Sequence, residues 1–365
     1  MKKILFVATV VQHFYHFHLP CFCMFKEKGW EVHVAASGQL ELDGCDRYYE
    51  LDIERSPFKP QNIKAYRELK KIIDENDYDI IHCHTPVGGV VARLAAVKAR
   101  KNGTKVMYTA HGFHFCKGSS KSGWLIYYPI EKMLSGLTDC LITINDEDYN
   151  NATKRLRAND VRLVHGVGCD LNKYSPVTSA EKSEIRERLG FSDDEKLIFY
   201  AAELNKNKNQ RMLIDMFNIV KKRNPNVRLL LAGPDNYNGE YKRYADEVGA
   251  EVDFLGKRND VCDLLKASDV VAASSLREGL PVNIMEAMAT GIPVAACENR
   301  GHCELIKDGV NGFIVKPGDS EEMAKKVCAL FEDEELYGKL AENSVEMVKK
   351  YSVENVLEEL EEIYF

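Results

Sequence analysis

Residues 274–293 read SSLREGLPVNIMEAMATGIP, and the rest of the chain is organised around this stretch. The pattern predicts the end of a buried strand, a tight polar turn, a short helix beginning near Pro281 and the start of another buried strand. Proline at a first helical position and a glycine just past the end, here Gly291, are the usual start and stop marks of a helix. One turn-helix unit therefore fixes two carboxylates, Glu278 in the turn and Glu286 on the helix.

The predicted helix has one apolar face. This face consists of Ile284, Met285 and Met288, whose spacing lets them pack together on a sheet. The residues between them therefore lie on the other faces of the helix. Those residues are Asn283, Glu286 and Ala287.

The start of this helix predicts a site for a phosphorylated ligand. The amides near Val282 and Asn283 have no intrahelical acceptors, and together with the helix dipole they favour an anion by about 0.3–1 kcal/mol. A diphosphate bound there would leave Glu286, set back along the helix, to accept hydrogen bonds from two ribose hydroxyls.

The turn before the helix would then face the group that the diphosphate carries, through Glu278 and the amides of Gly279 and Leu280. The alternative is structural: Glu278 caps a turn and Glu286 is a solvated helix residue. The Gly-Leu-Pro turn, the helix start and the Gly291 stop together favour the binding role.

Length and charge limit the classes of function. A chain of 365 residues exceeds the usual size of a single core, so we expect two domains. The net charge of -7 is divided unevenly, with +3 in residues 1–160 and -10 in residues 161–365. An acidic total argues against nucleic acid as the main partner, whereas the mildly basic first part is compatible with an anionic acceptor or a membrane surface.

The cysteines and the apolar runs indicate a compartment. Eleven cysteines are scattered along the chain, and apart from the Cys21 and Cys23 pair they have no metal-binding spacing. Such a scattered distribution is typical of reduced thiols in the cytoplasm. We find no convincing export signal and no apolar run of about 18 residues. We therefore expect a cytoplasmic protein, soluble or peripherally associated with the inner face of the plasma membrane.

Strand-like and helix-like runs alternate from end to end, which predicts an α/β fold with two doubly wound, Rossmann-like parallel-sheet domains. The turn-forming stretch 166–176 has the composition of a linker between them. The predicted strands of the first domain are 3–10, 31–36, 80–84, 105–110, 140–144 and 161–165. Those of the second are 197–202, 227–232, 252–255, 270–273, 292–296 and 313–315.

Histidines follow the predicted strands of the first domain. Ligands of open parallel sheets bind beyond the carboxyl ends of the strands, so these side chains are expected to line one cleft. Seven of the ten histidines have such positions: His13, His16, His18, His82, His84, His111 and His114.

The His-x-His pairs at 16/18 and 82/84 raise a metal site as an alternative, since alternate residues of a strand point to one face. No Asp, Glu or Cys set accompanies them in a convincing ligand pattern. We therefore expect no metal, and we favour hydrogen bonds to hydroxyls and phosphates, with some histidines satisfied in the core.

Cationic residues follow the strands of the second domain. Lys206 and Lys208 come after its first strand, where a lysine can neutralise a diphosphate as a point charge, although a solvated surface position is the alternative. Arg258 lies in a turn that could meet a nucleobase. Arg300 follows a later strand and either binds the diphosphate or caps a helix.

Three sets of residues resemble a known family. Glu278 and Glu286, with seven residues between them, look like the Glu-x7-Glu motif of family-four retaining glycosyltransferases, which have the GT-B fold of two Rossmann-like domains facing a cleft. NGFIVKPGD at 311–319 is similar to the late signature of that family. The stretches HFHLP at 16–20, HCHTPVGGV at 82–90 and TAHGFHFCKG at 109–118 resemble the EpsD-type subfamily of bacterial exopolysaccharide and capsule clusters.

The resemblance implies a role for each matching residue. Glu286 matches the glutamate that holds the nucleotide ribose, and Glu278 matches the catalytic glutamate near the donor sugar. Lys208 matches the diphosphate-binding lysine, and His111 matches a first-domain histidine that contacts the transferred sugar. Many relatives have Gly-Arg-Leu where this chain has Ala-Glu-Leu at 202–204, so Lys206 or Arg300 would have to replace a missing arginine.

The resemblance also implies an activity. A retaining, metal-independent transferase would move a hexose or N-acetylhexosamine from a UDP-sugar to a polyprenyl-diphosphate-linked glycan at the cytoplasmic membrane face, with no cofactor. Residues 1–168 would bind the acceptor, joined by a crossing helix at 351–365, and residues 169–350 would bind the donor. The alternatives are a UDP-sugar epimerase of similar two-domain build and an inactive scaffold of a polysaccharide assembly complex.

Overall fold

A computed structural model describes residues 1–117, 119, 121 and 123–365. Gly118, which ends the third EpsD-like stretch, lies outside the described residues. The chain forms two compact units: unit 1 comprises Met1–Gly168 and Val353–Phe365, and unit 2 comprises Cys169–Ser352. Across the described ranges, we find no helix with both the length and the apolar character needed to span a bilayer.

Unit 1 contains a parallel seven-stranded sheet with the order β3-β2-β1-β4-β5-β6-β7. Its strands are β1 Lys3–Val10, β2 Glu31–Ser37, β3 Arg47–Glu50, β4 Ile80–His84, β5 Lys105–Ala110, β6 Cys140–Thr143 and β7 Asp160–Leu163. Its first seven α-helices are α1 Gln12–Phe17, α2 Leu19–Glu27, α3 Gln61–Asn76, α4 Pro86–Ala95, α5 Val97–Lys101, α6 Tyr128–Ser135 and α7 Asp146–Arg155, and a π-helical turn at Gly123–Tyr127 precedes α6.

Unit 2 contains a parallel six-stranded sheet with the order β10-β9-β8-β11-β12-β13. Its strands are β8 Lys196–Ala201, β9 Val227–Ala232, β10 Asp253–Gly256, β11 Val270–Ala273, β12 Val294–Cys297 and β13 Phe313–Val315. Its α-helices are α8 Ser179–Leu189, α9 Gln210–Arg223, α10 Glu240–Glu247, α11 Val261–Ala267, α12 Val282–Ala289, α13 Arg300–Leu305, α14 Ser320–Glu332 and α15 Glu334–Val348. A 3-10 turn at Lys349–Tyr351 follows, and the chain then returns to unit 1 as α16 Val353–Tyr364.

The predicted α/β class with two parallel sheets is confirmed. Parallel strands covered by helices on both faces are apolar along their whole length, which made their runs visible in the sequence. In β1, Leu5 and Val7 belong to the core on one face of the sheet, and Ile4 and Phe6 belong to the core on the other. Helix α16 packs into this second core through Tyr364.

One strand, β3, was not predicted. Its sequence is Arg-Tyr-Tyr-Glu, and both charged ends are exposed because β3 lies at the edge of the sheet. Edge strands bury little apolar surface, so their composition gives no continuous apolar run.

Helix α4 lies unusually close to the sheet of unit 1. A Cβ atom on Gly88 would come within 2.9 Å of the carbonyl carbon of Ala8, and one on Gly89 within 2.6 Å of the Tyr108 ring. Both positions therefore require glycine. This close approach fixes the connection between the end of β4 and the start of α4, where His84 lies.

Helix α12 begins and ends as predicted. Pro281 is the N-cap residue, and Gly291 has φ +69°, a left-handed conformation that glycine adopts without strain. Ile284 and Met285 are fully buried, and so is Ala287, which we had expected on another face. The apolar face is wider than predicted because α12 packs on both the sheet and helix α15.

Candidate active site

The turn between β11 and α12 is held by two buried serines. The Ser274 hydroxyl donates to the carbonyl oxygen of Lys208 at 2.7 Å, and the Ser275 hydroxyl lies 2.5 Å from the Tyr200 hydroxyl. Tyr200 belongs to β8, and Lys208 lies in the loop that follows β8. These bonds fix the turn against the carboxyl end of the central strand, the edge at which parallel sheets bind ligands.

The same two segments bring Lys208 and Glu278 together. Lys208 Nζ lies 2.6 Å from Glu278 Oε1, and the two side chains are only 21% and 14% exposed. Asn207 reinforces the contact: its side-chain NH2 donates to the Arg277 backbone carbonyl at 2.9 Å, and its backbone carbonyl accepts from the Leu276 backbone amide at 2.8 Å. The diphosphate-binding lysine and the catalytic glutamate of the sequence analysis are therefore direct neighbours.

Helix α13 begins beside this turn. Arg300 Nε donates to the carbonyl oxygen of Glu278 at 3.0 Å, and Asn299 Nδ2 donates to the carbonyl oxygen of Ser275 at 2.8 Å. A Cβ atom on Gly301 would lie 2.8 Å from the Cβ of Glu278, so only glycine allows the helix to approach this closely. Of the two candidates for the missing family arginine, Arg300 is the one that contacts the Glu278 segment.

The start of α12 is tied to the end of β8. The side-chain amide of Asn283 donates to the carbonyl oxygen of Ala201 at 2.9 Å, so this side chain serves to position the helix. Leu280 is buried in the preceding turn next to Gly279. In a helix the first-turn amides, here those of Val282 and Asn283, point out of the N-terminus and attract anions.

Glu286 lies about one helical turn beyond this N-terminus and is largely buried. Burial raises its pKa to about 7, although a hydrogen bond from Tyr174 and the charge of Lys173 both lower it. Tyr174 lies in the stretch that we expected to be a linker, and sequence reasoning gave it no functional role. At pH above 7 the site therefore holds a carboxylate that Tyr174 orients.

Lys206 and Arg258 lie apart from the Lys208–Glu278 pair. Lys206 is exposed, with its Nζ 5.8 Å from the centroid of the Tyr237 ring. Arg258 is paired with Asp260, two residues further along the chain, at 2.8 Å between Nε and Oδ1. Within the described part of the chain, neither cation contacts Lys208 or Glu278, since Arg258 has a local partner and Lys206 extends outward.

A second group of predicted residues forms a four-histidine cluster in unit 1, comprising His13, His18, His84 and His111. His13 Nε2 and His18 Nε2 are 3.1 Å apart, and His84 Nδ1 and His111 Nε2 are 3.3 Å apart. The four residues come from the segment after β1 and from the ends of β4 and β5. This placement agrees with the expectation that side chains at these strand ends would meet.

The other three predicted histidines are not part of the cluster. His82 is satisfied in the core, where its two ring nitrogens lie 2.5 Å from Tyr364 Oη and 2.8 Å from Thr109 Oγ1. His16 is exposed, and His114 stacks on Tyr127 with 4.5 Å between the ring centroids. The structure brings four of the seven histidines together, and for His16 and His114 the expectation of a shared cleft stays a prediction.

The imidazoles of the four-histidine cluster are neutral near pH 7. Burial lowers the pKa of His111 to about 4, and burial together with repulsion from neighbouring histidines lowers the pKa of His13, His18 and His84 well below its ordinary value. Each neutral ring has one nitrogen with a lone pair. The cluster can thus accept hydrogen bonds or act as a set of ligands.

The backbone next to His84 is strained. Thr85, a β-branched residue, has φ +62° and ψ +151°, a conformation that costs about 1–3 kcal/mol outside glycine. Its hydroxyl is held by Thr9, with 2.8 Å between the two Oγ1 atoms, and this contact secures the end of β4 against β1.

Two glycosyltransferase families match separate parts of this chain. Residues 181–347 match the family described as Glycosyl transferases group 1, and residues 3–145 match the family described as Glycosyl transferase 4-like. EpsD of Bacillus subtilis (strain 168) is 49% identical over 366 residues, which cover 100% of this chain and 96% of the relative. The chain belongs to the group 1 glycosyltransferases.

Two further proteins are similar to this group 1 glycosyltransferase. The UDP-Gal:alpha-D-GlcNAc-diphosphoundecaprenol alpha-1,3-galactosyltransferase of Escherichia coli is 28% identical over 284 residues, or 76% of this chain and 72% of the relative. The crystal structure of Anabaena Alr3699/HepE in complex with UDP and glucose matches with a TM-score of 0.79 and 22% identity, covering 100% of this chain and 99% of that one. The structural match shows the GT-B fold. The group 1 match spans the candidate-site residues of unit 2 from Lys208 to Arg300, whereas Tyr174 precedes it.

Proposed function

We propose that this glycosyltransferase moves a hexose or N-acetylhexosamine from a UDP-sugar to a polyprenyl-diphosphate-linked glycan, with retention of anomeric configuration, in exopolysaccharide or capsule biosynthesis. The observation that carries the proposal is the 2.6 Å contact between Lys208 and Glu278 beside the start of α12. Three features are thereby close together: a cation that can bind a diphosphate, a carboxylate that can bind the attached sugar, and the N-terminus of a helix.

The donor would extend along α12. Its diphosphate would bind the first-turn amides of Val282 and Asn283 together with Lys208, because both carry positive charge into a largely buried position. Glu286 lies four residues beyond Val282, about 6 Å along the helix, and would accept hydrogen bonds from the ribose hydroxyls. The amides of Gly279 and Leu280, with Glu278, would contact the sugar.

The chemical step breaks the bond between the anomeric carbon and the diphosphate oxygen. The acceptor hydroxyl forms the new bond on the same face of the sugar, and its proton passes to the departing diphosphate oxygen. Lys208 and the helix amides stabilise the charge that develops on that oxygen. A preorganised hydrogen-bond donor of this kind lowers the activation free energy by about 3–4 kcal/mol. We assign His111 of unit 1 the contact with the transferred sugar that the family resemblance implies.

The donor site needs no metal ion on this proposal, since Lys208 and the helix N-terminus supply the positive charge. We expect the Kd for UDP, measured by calorimetry, to change less than about twofold when EDTA replaces added Mg²⁺ or Mn²⁺. If UDP binding were lost in EDTA and restored by Mg²⁺, this part of the proposal would be contradicted.

The lipid-linked acceptor is supported by the Escherichia coli relative, whose name specifies a diphosphoundecaprenol-linked sugar. Unit 1 has an apolar surface that suits a membrane. Leu125 and Met133 on the segment before and within α6 are 75% and 62% exposed, and Ile130 is exposed between them. A buried ion pair between Arg93 of α4 and Glu131 of α6 holds this segment so that its apolar side chains face outward.

Basic residues flank this apolar surface. Lys132 Nζ lies 5.5 Å from the centroid of the Tyr128 ring, and the Arg155 guanidinium lies 5.2 Å from that of Trp124. Apolar side chains beside basic and aromatic ones are typical of surfaces that bind anionic lipids. We therefore propose that this segment attaches the enzyme to the cytoplasmic face of the membrane.

We expect the double variant Leu125→Asp, Met133→Asp to lose most of its binding to vesicles that contain anionic phospholipid, measured by flotation. Burying these two side chains in lipid contributes about 3–5 kcal/mol, and aspartate reverses the effect. Phe58→Asp, at an apolar residue of unit 1 that is 85% exposed outside the segment, is the matched control and should bind as the wild type does. Equal loss in both variants would refute the assignment.

A panel of UDP-sugars with and without polyprenyl-diphosphate-linked acceptor tests the function itself. We expect UDP release that depends on the acceptor. Interconversion of UDP-sugars without acceptor would indicate an epimerase instead, and no UDP binding at all would indicate a scaffold.

A further inference from the structure

The four-histidine cluster has the geometry of a metal site. One ring nitrogen of each of the four residues lies within 4.8 Å of the corresponding nitrogens of the other three. Zinc binds imidazole nitrogens at about 2.0–2.1 Å in a tetrahedron, which places neighbouring ligand atoms about 3.3 Å apart. His13 Nε2 and His18 Nε2, 3.1 Å apart, already have this spacing, and rotation of the rings would bring the ligand nitrogens of His84 and His111 to it.

His84 supplies an independent observation. Its side chain is fully buried, and Nε2 has no hydrogen-bond partner in the described ranges. Leaving a buried polar atom without a partner costs about 1–3 kcal/mol, so such atoms are rare unless an ion or water meets them. The nearby His82 differs, since both of its nitrogens have protein partners.

A small cavity adjoins the cluster within unit 1. Its volume is about 20 Å³, and its lining includes His18, His84 and His111. A single water needs about 10–15 Å³ measured in this way, so the cavity admits one water or one ion. His13 and His111 are only partly buried, which gives an ion a path from solvent.

We propose that His13, His18, His84 and His111 bind one divalent transition-metal ion, with zinc as the ion that best fits four imidazoles in a tetrahedron. The low pKa of these residues is consistent with the proposal, since only a neutral imidazole can ligate. The ion would tie together three connections of unit 1, after β1, β4 and β5. The site lies in unit 1 and shares His111 with the proposed function, where a second ring nitrogen remains for the transferred sugar.

Metal content tests the proposal directly. We expect protein purified after growth with zinc, then dialysed, to retain about one Zn²⁺ per chain by elemental analysis, and Co²⁺ in its place to give the intense visible absorption of a tetrahedral site. Zinc should also raise the thermal midpoint of the metal-free protein. Protein that takes up neither ion in stoichiometric amount would overturn the proposal and leave the cluster held by hydrogen bonds between imidazoles.

Variants locate the ion. His84→Gln and His13→Gln should each lower zinc affinity at least tenfold, whereas His16→Gln, at an exposed histidine of the same segment, should retain the wild-type value. His13 is only partly buried, so its variant keeps the test valid should His84→Gln fail to fold. Equal loss in His13→Gln and His16→Gln would indicate surface binding and refute the site. UDP binding to unit 2, measured in parallel, reports on the proposed function separately.

Discussion

Replacing Lys208 with methionine should reduce the rate of sugar transfer about 10²–10³-fold, the effect of removing one preorganised donor from a developing oxyanion. Methionine keeps much of the length of the side chain and removes its charge. On the proposed mechanism the variant loses the cation for the departing diphosphate, and it also leaves Glu278, 2.6 Å away in the wild type, without its partner. The measurement is the initial rate of UDP release with saturating donor and acceptor.

Lys206→Met is the matched control for this prediction. Lys206 lies two residues earlier in the same loop but is exposed and directed toward Tyr237, so its removal should lower the rate less than about fivefold. A Lys208→Met rate within threefold of the wild type would remove Lys208 from the site. A large loss in Lys206→Met would instead make Lys206 the replacement for the missing family arginine.

Replacing Glu286 with glutamine should weaken UDP binding about 10–100-fold at pH 8. A carboxylate accepts hydrogen bonds from two ribose hydroxyls, whereas the neutral amide has a single oxygen acceptor and forms weaker bonds. Because the Glu286 pKa is about 7, the ratio of the wild-type UDP affinity to that of the glutamine variant should grow as the pH rises from 6 to 8. Calorimetry with UDP at pH 6 and pH 8 measures this ratio. The titration of UDP itself affects both proteins equally and so cancels in the ratio.

The same substitution should stabilise the protein without ligand at high pH. The pKa of Glu286 is raised on folding, so its protonation contributes stability that is fully present below about pH 4.5 and is lost as the pH rises through 7. Above pH 7 the buried carboxylate costs about 3 kcal/mol, which the glutamine variant avoids. Chemical denaturation should therefore show Glu286→Gln to be more stable than the wild type at pH 8, with little difference at pH 4.5. Equal stability at both pH values would mean that Glu286 is solvated.

The sequence predicted the parts of the molecule that depend on local patterns. Apolar runs located twelve of the thirteen strands, because most of these strands are buried on both faces and rich in apolar residues. The polar turn, Pro281 and Gly291 located α12, with Glu286 on the helix and Glu278 in the turn before it. The rule that the carboxyl ends of parallel strands share one edge placed Lys208 and Glu278 at the same edge, although their direct contact was not predicted.

The remaining features depend on contacts between distant segments. Tyr174 reaches Glu286 from a stretch with a linker's composition, and nothing local in that stretch indicates the contact. The buried pair of Arg93 and Glu131 likewise joins helices that the sequence gives no reason to pair. Such partners are fixed by tertiary packing and cannot be read from spacing.

The shared face expected for the His-x-His pair at 16/18 is absent for a different reason. A His-x-His pair shares a face only on a strand, but the segment after β1 forms helix α1, where residues two apart point to opposite sides. His16 therefore points to solvent, and His13 rather than His16 joins His18.

The most direct test of the central claim is NMR spectroscopy of the product formed from a UDP-N-acetylhexosamine and a polyprenyl-diphosphate-linked acceptor. The proposed function predicts one new glycosidic bond with the anomeric configuration of the donor, formed with one UDP released per sugar transferred. A product of inverted configuration, or no transfer from any UDP-sugar to any such acceptor, would contradict it.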